Sequence, residues 1–151
     1  MNRGSHPRPS ETVPPVIASA LTNPGVLVFA RVMLTLPYWV AGILKLLDFA
    51  GTEATMARVG LYPTSIFAAL TILVEIGASL LVILNRWTWA AAGALGVFTV
   101  WATFLAHRFW DFAEPQRGEQ LNTFLEHASL ASGFILVAAV SILLRSREGR
   151  R

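Results

Sequence analysis

The chain has 151 residues, of which 54% are hydrophobic and 14% charged, and since a water-soluble domain carries about 25% charged residues, this composition excludes an ordinary soluble protein. The absence of cysteine excludes disulfides, dithiol chemistry and cysteine-ligated metal centres. The formal net charge is +3, but the basic residues lie at the ends of apolar segments, which favours anionic lipid as their partner and excludes a nucleic-acid groove.

Four long apolar segments dominate the chain after an N-terminal tail. The tail, residues 1–24, is rich in Pro, Ser, Thr and Asn and is predicted to be disordered. Each apolar segment has about the 20 residues that a helix needs to cross a hydrocarbon core about 30 Å thick. Backbone groups in lipid must bond within their own segment, so helix is expected throughout. The predicted helices cover residues 26–47, 65–84, 87–108 and 121–144.

The connections between these helices predict an all-α membrane protein, with one antiparallel bundle of four transmembrane helices over residues 25–145. The turn at Asn85 and Arg86 is very short, so the second and third helices should form a tight hairpin. The loop after the first helix is too long for a simple turn, and its residues 53–59 predict a short surface helix. A basic tail, residues 146–151, follows the bundle.

Lys and Arg are unevenly distributed between the two ends of the predicted bundle. The end with both termini and the turn between the second and third helices carries seven of them, and the opposite end carries four. Because positively charged loops tend to stay in the cytoplasm, both termini are predicted to be cytoplasmic.

Two charged residues inside the predicted spans are the first functional candidates, because an unpaired charge in hydrocarbon costs at least about 2.5 kcal/mol. Arg31 lies about 8 Å inside the first helix, and Glu75 lies near the middle of the second. Their predicted depths differ by about 6 to 8 Å, so Arg31 is the expected partner of Glu75. Three interpretations remain open: a pair that fixes helix packing, a carboxyl that binds a headgroup or moves a proton, and a neutral hydrogen-bonded acid.

A second polar group is expected near the opposite ends of the helices. Its candidate residues are Lys45, His107, Glu126 and His127. Lys45 could simply extend toward the interface, and each His could be a packing residue. The functional alternative is a pocket for a quinone carbonyl, in which His or Lys donates a hydrogen bond and Glu126 carries the proton. The aromatic candidates for such a pocket are Tyr38 and Trp110.

Other cofactors are weakly supported by these residues. A haem held by His107 and His127 is disfavoured because the sequence offers no second His pair. Nothing in the spacing of His107, Glu126 and His127 demands a metal, so no metal site is predicted. No cofactor follows from the residues themselves, and quinone is the ligand retained as a hypothesis.

Several short motifs occur in order along the chain. They are Arg31, GILK at 42–45, GLYP at 60–63, EIG at 75–77, HRFW at 107–110 and FLEH at 124–127. Their order and placement resemble the DoxX family of small bacterial membrane proteins. The resemblance covers about residues 27–144. His127 stands where such proteins typically have Asn, which leaves the role of this position open.

This resemblance implies a function only at the level of the family. The family is named for a subunit linked to terminal quinol oxidase, a relative is the small subunit of thiosulfate:quinone oxidoreductase, and other members resemble membrane partners of soluble redox-defence enzymes. The first hypothesis is therefore a bacterial inner-membrane subunit or partner of a quinone-linked or redox-defence system, without an enzyme activity assigned to the chain itself. The alternatives are a non-catalytic membrane anchor or assembly protein, and a small-solute or proton carrier. The expected partners are the lipid bilayer, a soluble or membrane redox enzyme, and a second copy of the chain.

Overall fold

The computed structural model describes residues 13–148, and all regular secondary structure in that part of the chain is helical. Four of its helices are long and apolar enough to cross a membrane. The sequence prediction of a four-helix membrane bundle is confirmed. The helices are α1 (Pro15–Leu21), α2 (Pro24–Leu47), α3 (Phe49–Arg58), α4 (Thr64–Ile83), α5 (Thr88–Ala106) and α6 (Gln116–Glu148).

The N-terminal part of the described chain is more ordered than the sequence predicts. Part of the segment predicted as a disordered tail forms α1, because Pro15 occupies the first helical position, where its missing N–H costs nothing, and alanine and leucine follow. Residues 1–12 of the predicted tail lie outside the described residues. At the other end α6 continues to Glu148, so the predicted basic tail begins as helix, and residues 149–151 are outside the description.

Side-chain caps fix where α2 begins and where α3 follows it. The Asn23 side chain accepts a hydrogen bond from the backbone N–H of Gly25 at 2.8 Å, beside Pro24 at the first helical position. The Asp48 carboxylate accepts from the backbone N–H of Gly51 at 2.9 Å and begins α3 directly after α2. The surface helix predicted for residues 53–59 therefore exists, but it begins four residues earlier.

The middle of α4 is not a regular α-helix. Residues Leu73–Ala78 form a π-helical segment, in which each turn is wider than in the α-helices on either side. Glu75 lies inside this segment. Single π-helical turns within α-helices often lie at functional sites, and this one widens the helix where it carries its ionisable side chain.

The helices pack in chain order, with α2 against α4, α4 against α5, and α5 against α6. The core where they meet includes Tyr38, Val82, Ala92, Leu95 and Phe134. Many large apolar side chains are exposed instead, as on Leu73, Val97 and Leu136. Exposed apolar surface along membrane-length helices is what contact with lipid requires.

The first and last membrane helices contact each other in the middle of the bundle. The rings of Tyr38 on α2 and Phe134 on α6 lie 5.3 Å apart in an edge-to-face arrangement. A Cβ atom on Gly133 would lie 3.5 Å from Leu34.

Two cavities are found, one on either side of this layer of contacts between α2 and α6. The α3-side cavity lies toward α3, and the terminal-side cavity lies toward the ends of α2 and α6 that are nearest the chain termini.

Candidate functional site

The α3-side cavity has a volume of about 290 Å³ and is lined by α2, α3, α4, α5 and α6. Most of its lining is apolar, with a smaller set of polar residues. The polar lining residues are Tyr38, Lys45, Thr55, Thr71, Glu75, Thr99, His107 and His127. The cavity thus combines residues that the sequence prediction had divided between two separate groups.

Lys45 and Glu75 form the ion pair of this cavity. The Lys45 ammonium donates a hydrogen bond to Oε1 of Glu75. The Glu75 side chain is 5% exposed, and the Lys45 side chain is 30% exposed. The second oxygen of Glu75, Oε2, is buried and has no hydrogen-bond partner among the described residues. One half of the carboxyl is therefore paired, and the other half has an unused acceptor position.

The predicted Arg31–Glu75 pair is wrong. Gly42 lies at the level of Glu75, since a Cβ atom on Gly42 would be 3.1 Å from Glu75 Cβ. Gly42 is about five residues from the end of α2, whereas Glu75 is about eleven residues from the start of α4, so α4 begins about 9 Å beyond the end of α2. The prediction assumed that both helices end in one plane. This offset places Lys45 beside Glu75, and Arg31 lines the terminal-side cavity.

A hydrogen-bond chain fixes the direction of the Tyr38 hydroxyl. Tyr38 Oη and Thr99 Oγ1 lie 2.6 Å apart, and the Thr99 hydroxyl donates to the backbone carbonyl of Leu95 at 2.6 Å. Because a threonine hydroxyl has a single proton, Tyr38 must be the donor in its bond to Thr99. The lone pairs of the Tyr38 oxygen remain as acceptors beside the cavity.

The same reasoning fixes the tautomer of His127. The Thr103 hydroxyl donates to the backbone carbonyl of Thr99 at 2.6 Å and lies 2.9 Å from Nδ1 of His127. Since its single proton is already used, Thr103 accepts a hydrogen bond from the Nδ1–H of His127. In the neutral ring Nε2 is then the acceptor.

His107 lies beside His127 and is held in a similar way. Nδ1 of His107 is 2.9 Å from the amide oxygen Oε1 of Gln120, so this nitrogen donates and Nε2 is again the acceptor of the neutral ring. The two imidazole rings contact each other edge to face, with centroids 5.0 Å apart. The cavity therefore has two adjacent imidazoles whose Nε2 atoms are acceptors in the neutral rings.

Besides Arg31, two further predicted site residues do not line this cavity. Glu126 is exposed and is not among the lining residues. Trp110 is also exposed and packs against Phe104, Phe109 and Phe124. Helical periodicity explains the first result, since Glu126 is next to His127 in sequence and about 100° away from it around α6.

Sequence reasoning missed two residues that orient the site. Thr99 lies one turn before Thr103 on α5, and this spacing was the available signal that both share the polar face of that helix. Gln120 gave no signal, because it lies in a polar segment that was predicted as loop and is instead the first part of α6.

The cavity opens to the side of the bundle. Pro37 and Trp101 both line the cavity and are exposed on the outer surface of the bundle.

Comparison with known proteins gives the family of the chain. The DoxX family model matches residues 26–108, which is more than half of the chain. The inner membrane protein YphA of Escherichia coli strain K12 is 27% identical over 116 residues, which cover 77% of this chain and 83% of YphA. The inner membrane protein YqjF of the same strain is 31% identical over 118 residues, which cover 78% of this chain and 85% of YqjF. No solved structure matches the chain. The chain therefore belongs to the DoxX family, as an inner-membrane protein with four membrane-length helices.

Proposed function

We propose that the protein is the membrane subunit or membrane partner of a quinone-linked or redox-defence system, and that its α3-side cavity binds the quinone headgroup. The supporting observation is the Glu75 carboxyl, which lines the cavity with one buried oxygen that has no hydrogen-bond partner among the described residues. A buried acceptor without a partner costs about 1 to 3 kcal/mol. A ligand hydroxyl that donates to this oxygen would remove that cost.

The polar groups of the cavity suit both redox forms of a quinone. The Lys45 ammonium can donate to a quinone carbonyl. The Nε2 atoms of His107 and His127 can accept from a quinol hydroxyl and take its proton. Reduction of a quinone to a quinol consumes two electrons and two protons. In this proposal the electrons come from the partner redox enzyme, and the residues of the cavity supply or accept the protons.

The dimensions of the cavity agree with a headgroup and not with a whole isoprenoid quinone. Its volume of about 290 Å³ is near the lower limit of about 300 Å³ for ligand pockets. The lateral opening at Pro37 and Trp101 would leave the isoprenoid tail among the lipid chains.

The second candidate function is a non-catalytic membrane anchor. The contact that favours it is the close approach of α2 and α4 at Gly42, directly beside the Lys45–Glu75 pair. In that case the pair only holds the two helices together. A solute carrier is less well supported, because Tyr38, Leu95 and Phe134 fill the bundle between the two cavities.

Quinone binding by the purified protein tests the first candidate. The protein in lipid nanodiscs would be titrated with a short-tail ubiquinone analogue and with its photoreactive derivative. Glu75→Gln should weaken binding about tenfold or more, since one lost charged hydrogen bond is worth about 1.5 to 3 kcal/mol. The matched control is Glu126→Gln, the same chemical change outside the cavity, which should bind like the wild type.

A second variant separates binding from stability. Ala41 lines the cavity without a side-chain polar group, so Ala41→Leu should block the headgroup while leaving the Lys45–Glu75 pair in place. Loss of quinone binding in Ala41→Leu with an unchanged melting temperature would support the proposal. Wild-type affinity in both Ala41→Leu and Glu75→Gln would favour the anchor.

A further inference from the structure

The terminal-side cavity is a groove between the first and last membrane helices. Its volume is about 560 Å³. Leucines and small residues of α2 and α6 form its walls, and Asn85 and Thr88 contribute to its lining from the turn between α4 and α5. Two of its lining residues are charged, and both are arginines: Arg31 on α2 and Arg145 on α6.

Among the side chains that the structure describes, the charges around this groove are of one sign. Every carboxylate side chain that the structure describes, apart from Glu75, is near the opposite end of the bundle, toward α3 and the loop before α6. These residues are Asp48, Glu53, Asp111, Glu114, Glu119 and Glu126. Glu75 itself is paired with Lys45. Among the described side chains, no carboxylate lies within 4.0 Å of a nitrogen of Arg31 or Arg145.

Arg31 lies deep in the bundle without a carboxylate counter-ion among the described side chains, and its depth makes this costly. Arg31 is about seven residues, or about 10 Å, inside the start of α2. A cation at such a depth is costly unless it is paired or reaches the interface. Arg145 is near the end of α6. Of the two arginines that line the groove, Arg31 therefore lies deeper in the membrane and Arg145 lies nearer its surface. An anionic group that carries its own apolar chain would pair with both arginines and place that chain in the hydrocarbon.

We propose that the terminal-side cavity binds one anionic phospholipid. Its phosphate pairs with Arg31 and Arg145, and its acyl chain lies against Leu27, Leu34 and Leu136 on the walls of the groove. Basic pockets between membrane helices are known to select anionic headgroups. The site is at the opposite end of the bundle from the α3-side cavity, so it does not depend on the proposed quinone site.

Native mass spectrometry of the purified protein in detergent tests this proposal. The probes are palmitoyl-oleoyl phosphatidylglycerol and the zwitterionic palmitoyl-oleoyl phosphatidylcholine, added at equal concentration. The wild type should retain one phosphatidylglycerol in preference to phosphatidylcholine. Arg31→Gln and Arg145→Gln should each weaken that retention about fivefold, the effect of about 1 kcal/mol per basic residue.

The control is Arg86→Gln, which removes the same charge from the same end of the bundle. Arg86 is exposed and does not line the groove, so this variant should bind phosphatidylglycerol like the wild type. An equal loss in all three variants would overturn the site and indicate attraction to the basic surface as a whole. Displacement of the signal by inorganic phosphate alone would also overturn it, because the proposal requires the acyl chain.

Arg31→Lys is the control that separates a loss of lipid binding from a folding defect. It keeps the charge and should retain most of the preference for phosphatidylglycerol. If Arg31→Gln loses the lipid while its melting temperature without lipid equals that of Arg31→Lys, the loss reflects binding. If the wild type shows no preference between the two lipids, the proposal is wrong.

Discussion

Lys45 on α2 donates a hydrogen bond to Glu75 in the π-helical segment of α4, and the acid is the far more deeply buried partner. The lysine side chain is 30% exposed, so its ammonium can move toward the interface, whereas the carboxyl at 5% exposure cannot reach water. The pair is thus asymmetric. The buried carboxyl depends on the lysine as its counter-ion, whereas the lysine can reach the interface without the carboxyl.

This asymmetry predicts that a substitution of Lys45 and a substitution of Glu75 lower the free energy of unfolding by different amounts. Lys45→Met should lower the free energy of unfolding by about 3 kcal/mol, because it leaves a buried carboxyl without its counter-ion. Glu75→Gln should cost only about 1 kcal/mol, since the lysine can extend toward water. Thermal unfolding of both variants in detergent measures the difference. Equal losses would mean that the two partners depend on each other equally.

A second prediction concerns the contact between α2 and α4. Gly42→Ala should destabilise the bundle by about 1 to 3 kcal/mol, because the new Cβ would lie 2.6 Å from Ile76 Cγ1 and 3.1 Å from Glu75 Cβ. The matched control is Gly93→Ala on α5, where a Cβ meets nothing within 4 Å. That change should be neutral or stabilise by up to about 1 kcal/mol through helix propensity. If both variants melt at the wild-type temperature, the helices are less tightly packed at Gly42 than the structure indicates.

The fold was largely predictable because lipid limits the choice of structure. Four apolar segments of about 20 residues each leave helix as the practical solution, and the predicted and observed segments overlap throughout. The ends were harder to predict. α6 begins at Gln116, in a polar stretch that carries no hydrophobic signal of a membrane span.

The partner of Glu75 was not predictable from depth along the chain. Sequence gives the depth of a residue only relative to the end of its own helix, and α4 begins about 9 Å beyond the end of α2. The π-helical segment around Glu75 also shifts the faces of α4, and the sequence LVEIGA carries no clear mark of it. The residue types of the site were therefore found from sequence, but the pairing between them required the three-dimensional arrangement.

A third prediction concerns the threonine that orients His127. Thr103→Val removes the acceptor for the Nδ1–H of His127 and leaves that half-buried donor unpaired, so quinone binding should weaken about tenfold. Thr103→Ser keeps the hydroxyl and should restore most of the affinity. Thr123→Val is the control. The Thr123 hydroxyl donates to the backbone carbonyl of Glu119, and Thr123 does not line the cavity. Equal affinity in the valine and serine variants at position 103 would mean that the Thr103 hydroxyl does not orient His127 for binding.

The last prediction is that both chain termini lie in the cytoplasm. It rests on the excess of basic residues at the end of the bundle that carries the termini. Because the chain has no cysteine, single substitutions report one position at a time. Arg86→Cys and Glu114→Cys place a thiol at exposed positions at opposite ends of the bundle. A membrane-impermeant maleimide added to spheroplasts should label the cysteine at position 114 and spare the one at position 86.

Lysis of the spheroplasts provides the control for this experiment. After lysis both variants should react, which shows that each thiol is accessible once the membrane barrier is removed. Labelling of position 86 but not of position 114 in intact spheroplasts would reverse the orientation. The α3-side cavity would then open in the cytoplasmic half of the bilayer, and the anionic lipid at Arg31 and Arg145 would come from the outer leaflet.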